Sequence, residues 1–293
     1  MSRRTFLIGA GAGAVAVAAG GVALVETGTL PGKGRLDELL GRGGTALAPP
    51  DVEPGPVVSG AFDSAARGTE VGWTAIYPPG AEPGDPLPVC VFLHGRSGHH
   101  TDAAGAMHLD RFLAGAVTDA TVTPFVIVGV DGGDAVNWHR RANGDDPPAM
   151  IRSELLPLLA GRGLDVERPA LWGVSLGGYG ALYYATLPDT GVSGVVAASP
   201  ALWKNPGEWQ APTFDDDADF AATNMWDRQD LLRGIPLRID CGASDPFVDR
   251  VREFRDSLDP TPAGGIAEGG HDDRFWSRQT PEELAFVGQA LRR

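Results

Sequence analysis

Apolar residues in this chain collect in short unbroken runs that end abruptly in glycine or small polar residues. Residues 87–95, LPVCVFLHG, are the plainest case. A run of that length without alternation marks a strand buried on both faces. The pattern returns in PFVIVGVDGG (124–133), PALWGVS (169–175), GVSGVVAASP (191–200) and PLRIDCGASD (236–245). GWTAIYPPG (72–80) alternates well enough for a further strand closed by a Pro-Pro turn. Between these runs the spacing becomes helical, in AMHLDRFLAGAV (106–117), PAMIRSELLPLLAGRG (148–163), LGGYGALYYATLP (176–188) and PFVDRVREFRDSL (246–258). In the terminal segment, Thr280, Pro281 and Glu283 form a capping-box pattern that predicts a helix start there. Buried strands alternating with helices predict an α/β fold with a mostly parallel sheet flanked by helices. Ligands of such sheets bind beyond the carboxyl ends of the strands.

The first sixty residues follow another rule. Ser2, Arg3, Arg4, Thr5, Phe6 and Leu7 match the core of a twin-arginine export signal, followed by a run rich in Gly and Ala. Phe6 to Val25 is also about 20 residues, the length of a membrane span. Residues 1–27 are therefore expected to be an export signal or an N-terminal anchor. Either form carries the rest of the chain out of the cytoplasm, secreted or held at the membrane or cell wall. Residues 28–57 are rich in Pro and Gly and predict a linker, with one short amphipathic piece from Leu36 to Leu40. Residues 58–293 show no repeat and no second linker, so one domain is expected there.

Charge narrows the partners. The 293 residues carry a formal net charge of −14, which excludes a nucleic-acid binder because phosphate recognition needs a basic face. Cys90 and Cys241 both sit inside apolar strand runs and are expected to be buried free thiols.

The candidate chemistry lies at strand ends. In LWGVSLGGYGAL (171–182), Ser175 stands between Gly173 and Gly177, with a strand before it and a helix after it. No relaxed loop fits there, so the serine is expected on a tight bend, the G-x-S-x-G elbow of a nucleophile. The following helix N-terminus aims backbone N–H groups at developing negative charge. A serine hydroxyl needs a histidine to take its proton. With an elbow of this kind the carboxylate and histidine follow the serine in the chain. Of six histidines only His271 does so. The carboxylate is expected at Asp245, past the strand end in RIDCGASDPF, with Asp249 and Glu253 as rivals. Asp245 before Pro246 is also a good helix N-cap. Backbone N–H groups of Leu176 and Arg96 are the candidate oxyanion hole.

Three regions remain open at this level. His94, His99 and His100 suggest a metal site only if their geometry allows it, and neither metal nor cofactor is expected. The polar loop 131–147, with Trp138, follows a strand end, so Trp138 and His94 are candidate substrate contacts. Residues 203–230 form a long insertion with Trp203, Trp209, Trp226 and an acidic run from Asp215 to Asp217. A lid is expected there, its carboxylates on a solvated face.

Taken together, FLHGRSG, VDGG with NWHRR, LWGVSLGGYGAL, AASPALW, DCGASDPF and GGHDDRFW resemble the putative-esterase branch of the α/β hydrolases. That branch includes esterase D-like enzymes and the antigen 85 mycolyltransferases. The resemblance implies an α/β-hydrolase fold and a serine esterase working on a small-molecule or lipid ester, and together with the N-terminal pattern the expectation is an exported serine esterase. It implies an acyl-serine at Ser175, with His271 as base and Asp245 as its partner. An acyltransferase acting on envelope lipid or sugar is the alternative. The mycolyltransferases use a glutamate as the acid, whereas this chain has Asp245, closer to the plain esterases. A non-catalytic envelope or carbohydrate-binding protein on the same fold is the third reading.

Overall fold

The computed structural model describes residues 43–133 and 137–292. The expected signal or anchor and the Leu36–Leu40 piece lie outside these residues. Among the described residues, eight strands form a sheet in the order β1-β2-β4-β3-β5-β6-β7-β8. They are β1 (Val57–Ser64), β2 (Thr69–Ile76), β3 (Pro88–Leu93), β4 (Val126–Val130), β5 (Asp165–Val174), β6 (Gly194–Ala198), β7 (Leu237–Gly242) and β8 (Ile266–Ala267). β1 and β2 form a hairpin, β2 runs antiparallel to β4, and every other pairing is parallel.

Two cores lie on opposite faces of the sheet because alternate strand residues point opposite ways. On β3, Val89, Val91 and Leu93 face one core and Cys90 and Phe92 the other. The first core is closed by α2 and α3. The α2 helix joins Pro147–Met150, a π-helical turn Ile151–Leu155, and Leu156–Ala160. The α3 helix, Leu176–Ala185, is buried along its whole length. The second core is closed by α1 (Leu109–Thr118) and α6 (Asp273–Leu291) through Leu113, Leu284 and Val287. Cys90 and Cys241 are buried free thiols.

Three expectations change. The last helix begins at Asp273, capped by Asp272 accepting from the Phe275 N–H, so Thr280–Glu283 is no helix start. Thr280 instead donates to the Trp276 carbonyl within the helix, and Glu283 is fully buried. The linker reading of 28–57 does not extend to its described part. There the chain lies against the domain, with Arg278 donating to the Thr45 and Gly43 carbonyls and Ser277 accepting from the Leu47 N–H. β1, which pattern reading did not predict, pairs with β2 along eight positions and packs Gly60 against the Trp73 ring. On its inward side Val58 and Phe62 are interrupted by Gly60 and Ser64, and Val57 and Ala61 are exposed, so its hydrophobic alternation is blurred.

The insertion 203–230 holds helix α4 (Asp217–Thr223) and two 3-10 turns. Phe214, 1% exposed, is ringed by Tyr179, Trp203, Trp209 and Phe220. This is a packed cap rather than a loose flap. The acidic run is also not simply solvated: Asp215 pairs with Arg141 at 2.7 Å and Asp216 caps α4.

Candidate active site

Ser175 sits between β5 and α3 with φ 54 and ψ −116. A non-glycine residue there carries roughly 1–3 kcal/mol of strain that its surroundings must enforce. They do so through the backbone. The Ser175 N–H donates to the Ala198 carbonyl at 2.9 Å, and the Ser175 carbonyl accepts from Ala201 at 3.0 Å and Tyr179 at 3.1 Å. The flanking glycines follow from the same crowding. A Cβ on Gly173 would stand 2.0 Å from the Gly177 carbonyl oxygen, and one on Gly177 1.9 Å from that of Leu93.

The loop after β8 brings His271 to the serine, with Ser175 Oγ 2.9 Å from His271 Nε2. The loop after β7 brings Asp245, whose Oδ2 lies 2.7 Å from His271 Nδ1. The other Asp245 oxygen accepts from the Phe247 N–H at 2.8 Å, so the carboxylate is fixed at both ends and fully shielded from solvent. Asp245 is thus not the N-cap of α5 (Val248–Ser257), a position held by Phe247. The rivals point elsewhere: Asp249 pairs with Arg252 and Glu253 with Lys204. Phe247 and Trp276 flank the His271 ring at 5.6 and 5.4 Å, and Trp276 Nε1 donates to Ser199 Oγ. No spacing rule singled out these two aromatic residues, although both lie close in sequence to the residues they support.

Leu176 is the first residue of α3, where backbone N–H groups lack intrahelical partners. Arg96 follows Gly95, whose Cβ position would be 3.3 Å from Ser175 Cβ, so the loop after β3 closes directly over the serine. His94 lies beneath that loop. Its Nδ1 donates to the Gly95 carbonyl at 2.7 Å and its Nε2 accepts from the Gly132 N–H at 2.9 Å. Burial pushes its pKa down, in keeping with a neutral ring that both bonds require. His94 therefore borders the cavity at Ser175, but both ring nitrogens are committed to the backbone. Trp138 departs further from expectation. It is 2% exposed, donates its indole N–H to the His94 carbonyl at 3.1 Å, and packs on Gly132 and Gly180. It supports the loop from below and does not line the cavity at the serine.

His99 and His100 do not join His94 in a ligand set. His100 Nδ1 meets Thr74 Oγ1 at 2.7 Å. Among the described residues, no group of three or more His, Cys, Asp or Glu side chains is placed to hold a metal ion.

Two cavities meet at Arg96, and Ser175 lines the first of them. The smaller, about 220 Å³, is lined by Ser175, His271, Phe92, Met107, Trp276 and the carboxylates Asp102 and Asp273, among others. Burial, then neighbouring Asp272 and Asp102, push the Asp273 carboxyl above its ordinary range. The larger, about 600 Å³, lies under the cap between Leu202, Trp203, Gln210, Phe247 and Arg250. Arg96 borders both.

Residues 64–260 match the family model described as "Putative esterase". That span contains Ser175 and Asp245 and stops before His271. No curated protein matches the sequence. Among solved structures, the chain is similar to a ferulic acid esterase with TM-score 0.70 and 21% identity, covering 80% of this chain and 98% of that one. An S-formylglutathione hydrolase from Agrobacterium tumefaciens gives TM-score 0.65 and 17% identity over 80% and 95%. A ferulic acid esterase from Anaeromyces mucronatus, solved in complex with ferulic acid, gives 0.66 and 20% over 82% and 93%. At these identities the likeness is one of fold, and the eight-stranded sheet with flanking helices is that of the α/β hydrolases.

Proposed function

The chain belongs to the "Putative esterase" family and is a carboxylic ester hydrolase, and from that premise we propose that it works as a serine esterase through Ser175, His271 and Asp245. The observation that carries this reading is the unbroken chain of contacts, 2.9 Å from Ser175 Oγ to His271 Nε2 and 2.7 Å from His271 Nδ1 to Asp245.

In the proposed reaction Ser175 Oγ attacks the ester carbonyl carbon while His271 Nε2 takes the hydroxyl proton. Negative charge gathers on the former carbonyl oxygen, where the Leu176 and Arg96 N–H groups receive it. The tetrahedral species collapses, the C–O bond to the alcohol breaks, and His271 returns the proton to the leaving oxygen. Water then attacks the acyl-serine with the same histidine as base, releasing the acid and restoring Ser175. Asp245 holds the His271 tautomer and steadies its positive form.

The twin-arginine pattern at Ser2–Leu7 supports an exported enzyme, at work outside the cytoplasm. The test is labelling by a fluorophosphonate, which phosphonylates only an activated serine, alongside 4-nitrophenyl ester hydrolysis. Ser175→Ala is expected to abolish labelling and lower kcat/KM by about 10³-fold or more with the fold intact. Comparable hydrolysis by a folded Ser175→Ala protein would remove the assignment.

A further inference from the structure

We propose that Arg96 selects esters that carry an anionic group, such as a carboxylate, on the part of the substrate that fills the larger cavity. The inference rests on the Ser175 esterase reading and names the substrate class of that site.

The backbone of Arg96 and its side chain are committed differently. The N–H is the proposed oxyanion donor, whereas the guanidinium reaches to the cap, where Nη2 donates to Thr213 Oγ1 at 3.1 Å. A guanidinium has five N–H donors and no acceptor. Thr213 is neutral and takes one of them. Among the described residues no carboxylate pairs with Arg96. The other charged groups at the larger cavity are already matched. Arg250 holds Glu208 at 2.7 Å, and Asp249, 85% exposed, holds Arg252 at 2.9 Å. Arg96 is thus the cation of this cavity left without a counter-charge, in a chain whose net charge is −14.

Arg96 borders both cavities, but the smaller one adds the carboxylates Asp102 and Asp273, whereas those of the larger one, Glu208 and Asp249, are already paired with arginines. Asp102 and Asp273 line the smaller one and repel an anion there. The larger one offers apolar walls in Leu202, Trp203 and Phe247 with Arg96 at the serine end. An ester seated across Ser175 would keep its uncharged part in the first and find its charge partner in the second. Charge-assisted hydrogen bonds from a guanidinium to a carboxylate are the strong ones, and their fork geometry adds orientation.

The test uses two matched ester pairs, one charged on the acyl side and one on the alcohol side. The first is the 4-nitrophenyl monoester of terephthalic acid against that of terephthalamic acid. The second is the butyrate ester of 4-hydroxybenzoate against that of 4-hydroxybenzamide. In at least one pair the native enzyme is expected to favour the carboxylate by about tenfold in kcat/KM. Arg96→Gln brings that ratio close to one, Arg96→Lys keeps part of it, and added salt reduces it because Arg96 is exposed. The ratio is the readout because any damage to the oxyanion loop falls on both esters of a pair alike. A native ratio of one or below in both pairs, or a ratio unchanged in Arg96→Gln, overturns the proposal. A second measurement needs no turnover: calorimetric binding of terephthalamate against terephthalamide, and of 4-hydroxybenzoate against 4-hydroxybenzamide, to Ser175→Ala and to Ser175→Ala/Arg96→Gln. Carboxylate binding that depends on Arg96 supports the anion site even if no ester is cleaved, in which case the esterase reading alone has failed. Equal binding of acid and amide in both pairs overturns it.

Discussion

Gly177→Ala adds a single methyl group where α3 leaves the serine. Its Cβ would stand 1.9 Å from the Leu93 carbonyl oxygen and 2.6 Å from that of His94. Both are backbone atoms at the carboxyl end of β3, a strand laddered to β4 on one side and β5 on the other. No side chain can swing aside. Non-bonded atoms of this kind settle at about 3.4 Å, so the first turn of α3 must retreat from β3 by roughly 1.5 Å. The retreat carries Ser175 and the Leu176 N–H away from the Arg96 N–H, which stays with the β3 loop. A misplacement of about 1 Å costs on the order of 100-fold in rate. Overpacking also costs about 1–3 kcal/mol of stability, less than the ~5–15 kcal/mol that holds a typical domain together. The expected protein is therefore folded at 25 °C, melts earlier, and has kcat/KM lower by about 100-fold, mostly in kcat. The assay pairs 4-nitrophenyl ester kinetics with thermal unfolding and the rate of fluorophosphonate labelling. Gly265→Ala is the control, since its Cβ meets nothing within 4 Å, and Gly95→Ala, with a contact of 3.3 Å to Ser175 Cβ, should fall between them. A folded Gly177→Ala enzyme within about threefold of native kcat/KM would refute the reasoning from backbone contact to rate.

Two further outcomes follow from the same geometry. Asp245→Asn keeps the shape but replaces a carboxylate that fixes His271 Nδ1–H, so kcat should drop by about 10³–10⁴-fold at neutral pH while the melting temperature changes little; a loss below tenfold would mean that His271 keeps its tautomer without Asp245. Burial, then the neighbouring Asp240 carboxylate, push the fully buried Glu283 well above the ordinary carboxylate range, with Arg238 opposing. A carboxyl raised in the folded state contributes its stability at low pH, where both states are protonated. That contribution is lost as pH rises past the unfolded value and through the folded one. Glu283→Gln should therefore melt higher than the native protein at pH 8, with the gap closing toward about pH 4; a gap independent of pH would show that Glu283 is not held protonated.

What could be read from the sequence was what periodicity and fixed spacing encode. The strands β3 to β7 are continuous apolar runs because both their faces are covered, and that leaves an unambiguous trace. Ser175 was legible because crowding at the elbow excludes side chains at Gly173 and Gly177. His271 was legible by chain order. β1 escaped because Gly60 and Ser64 interrupt its inward side while Val57 and Ala61 are exposed. Thr280–Glu283 misled because a capping pattern marks a helix start only if the preceding residues are not helical, and here Asp272 caps the helix two turns earlier. Trp138 misled for a different reason. An aromatic residue in a polar loop after a strand suggests a pocket wall, and nothing local reveals that Gly132 and Gly180 leave room for it inside.

The buried position of Trp138 explains how a strained serine and a loop of small residues hold their mutual geometry. The loop after β3 contains Gly95 and Gly98, with few apolar side chains to anchor it. Its rigidity has to come from below. The His94 ring ties the Gly95 carbonyl to the Gly132 N–H, joining the loops after β3 and β4, and the Trp138 indole ties the His94 carbonyl to the β4 loop again. Trp138 in turn rests on Gly180 of α3, the helix that begins next to Ser175. Beyond it, Arg141 donates to the Thr213 and Pro212 carbonyls, and the Arg96 guanidinium meets Thr213 Oγ1 from the other side. The cap is thereby locked to the same loop that carries the proposed oxyanion donor Arg96. Each contact is a single hydrogen bond of about 1 kcal/mol, too little alone to hold a strained bend. Closed into a ring through two strand ends, one helix and the cap, they leave the loop no low-cost direction of movement. That is the condition under which preorganised N–H groups stabilise a developing charge without first having to turn toward it.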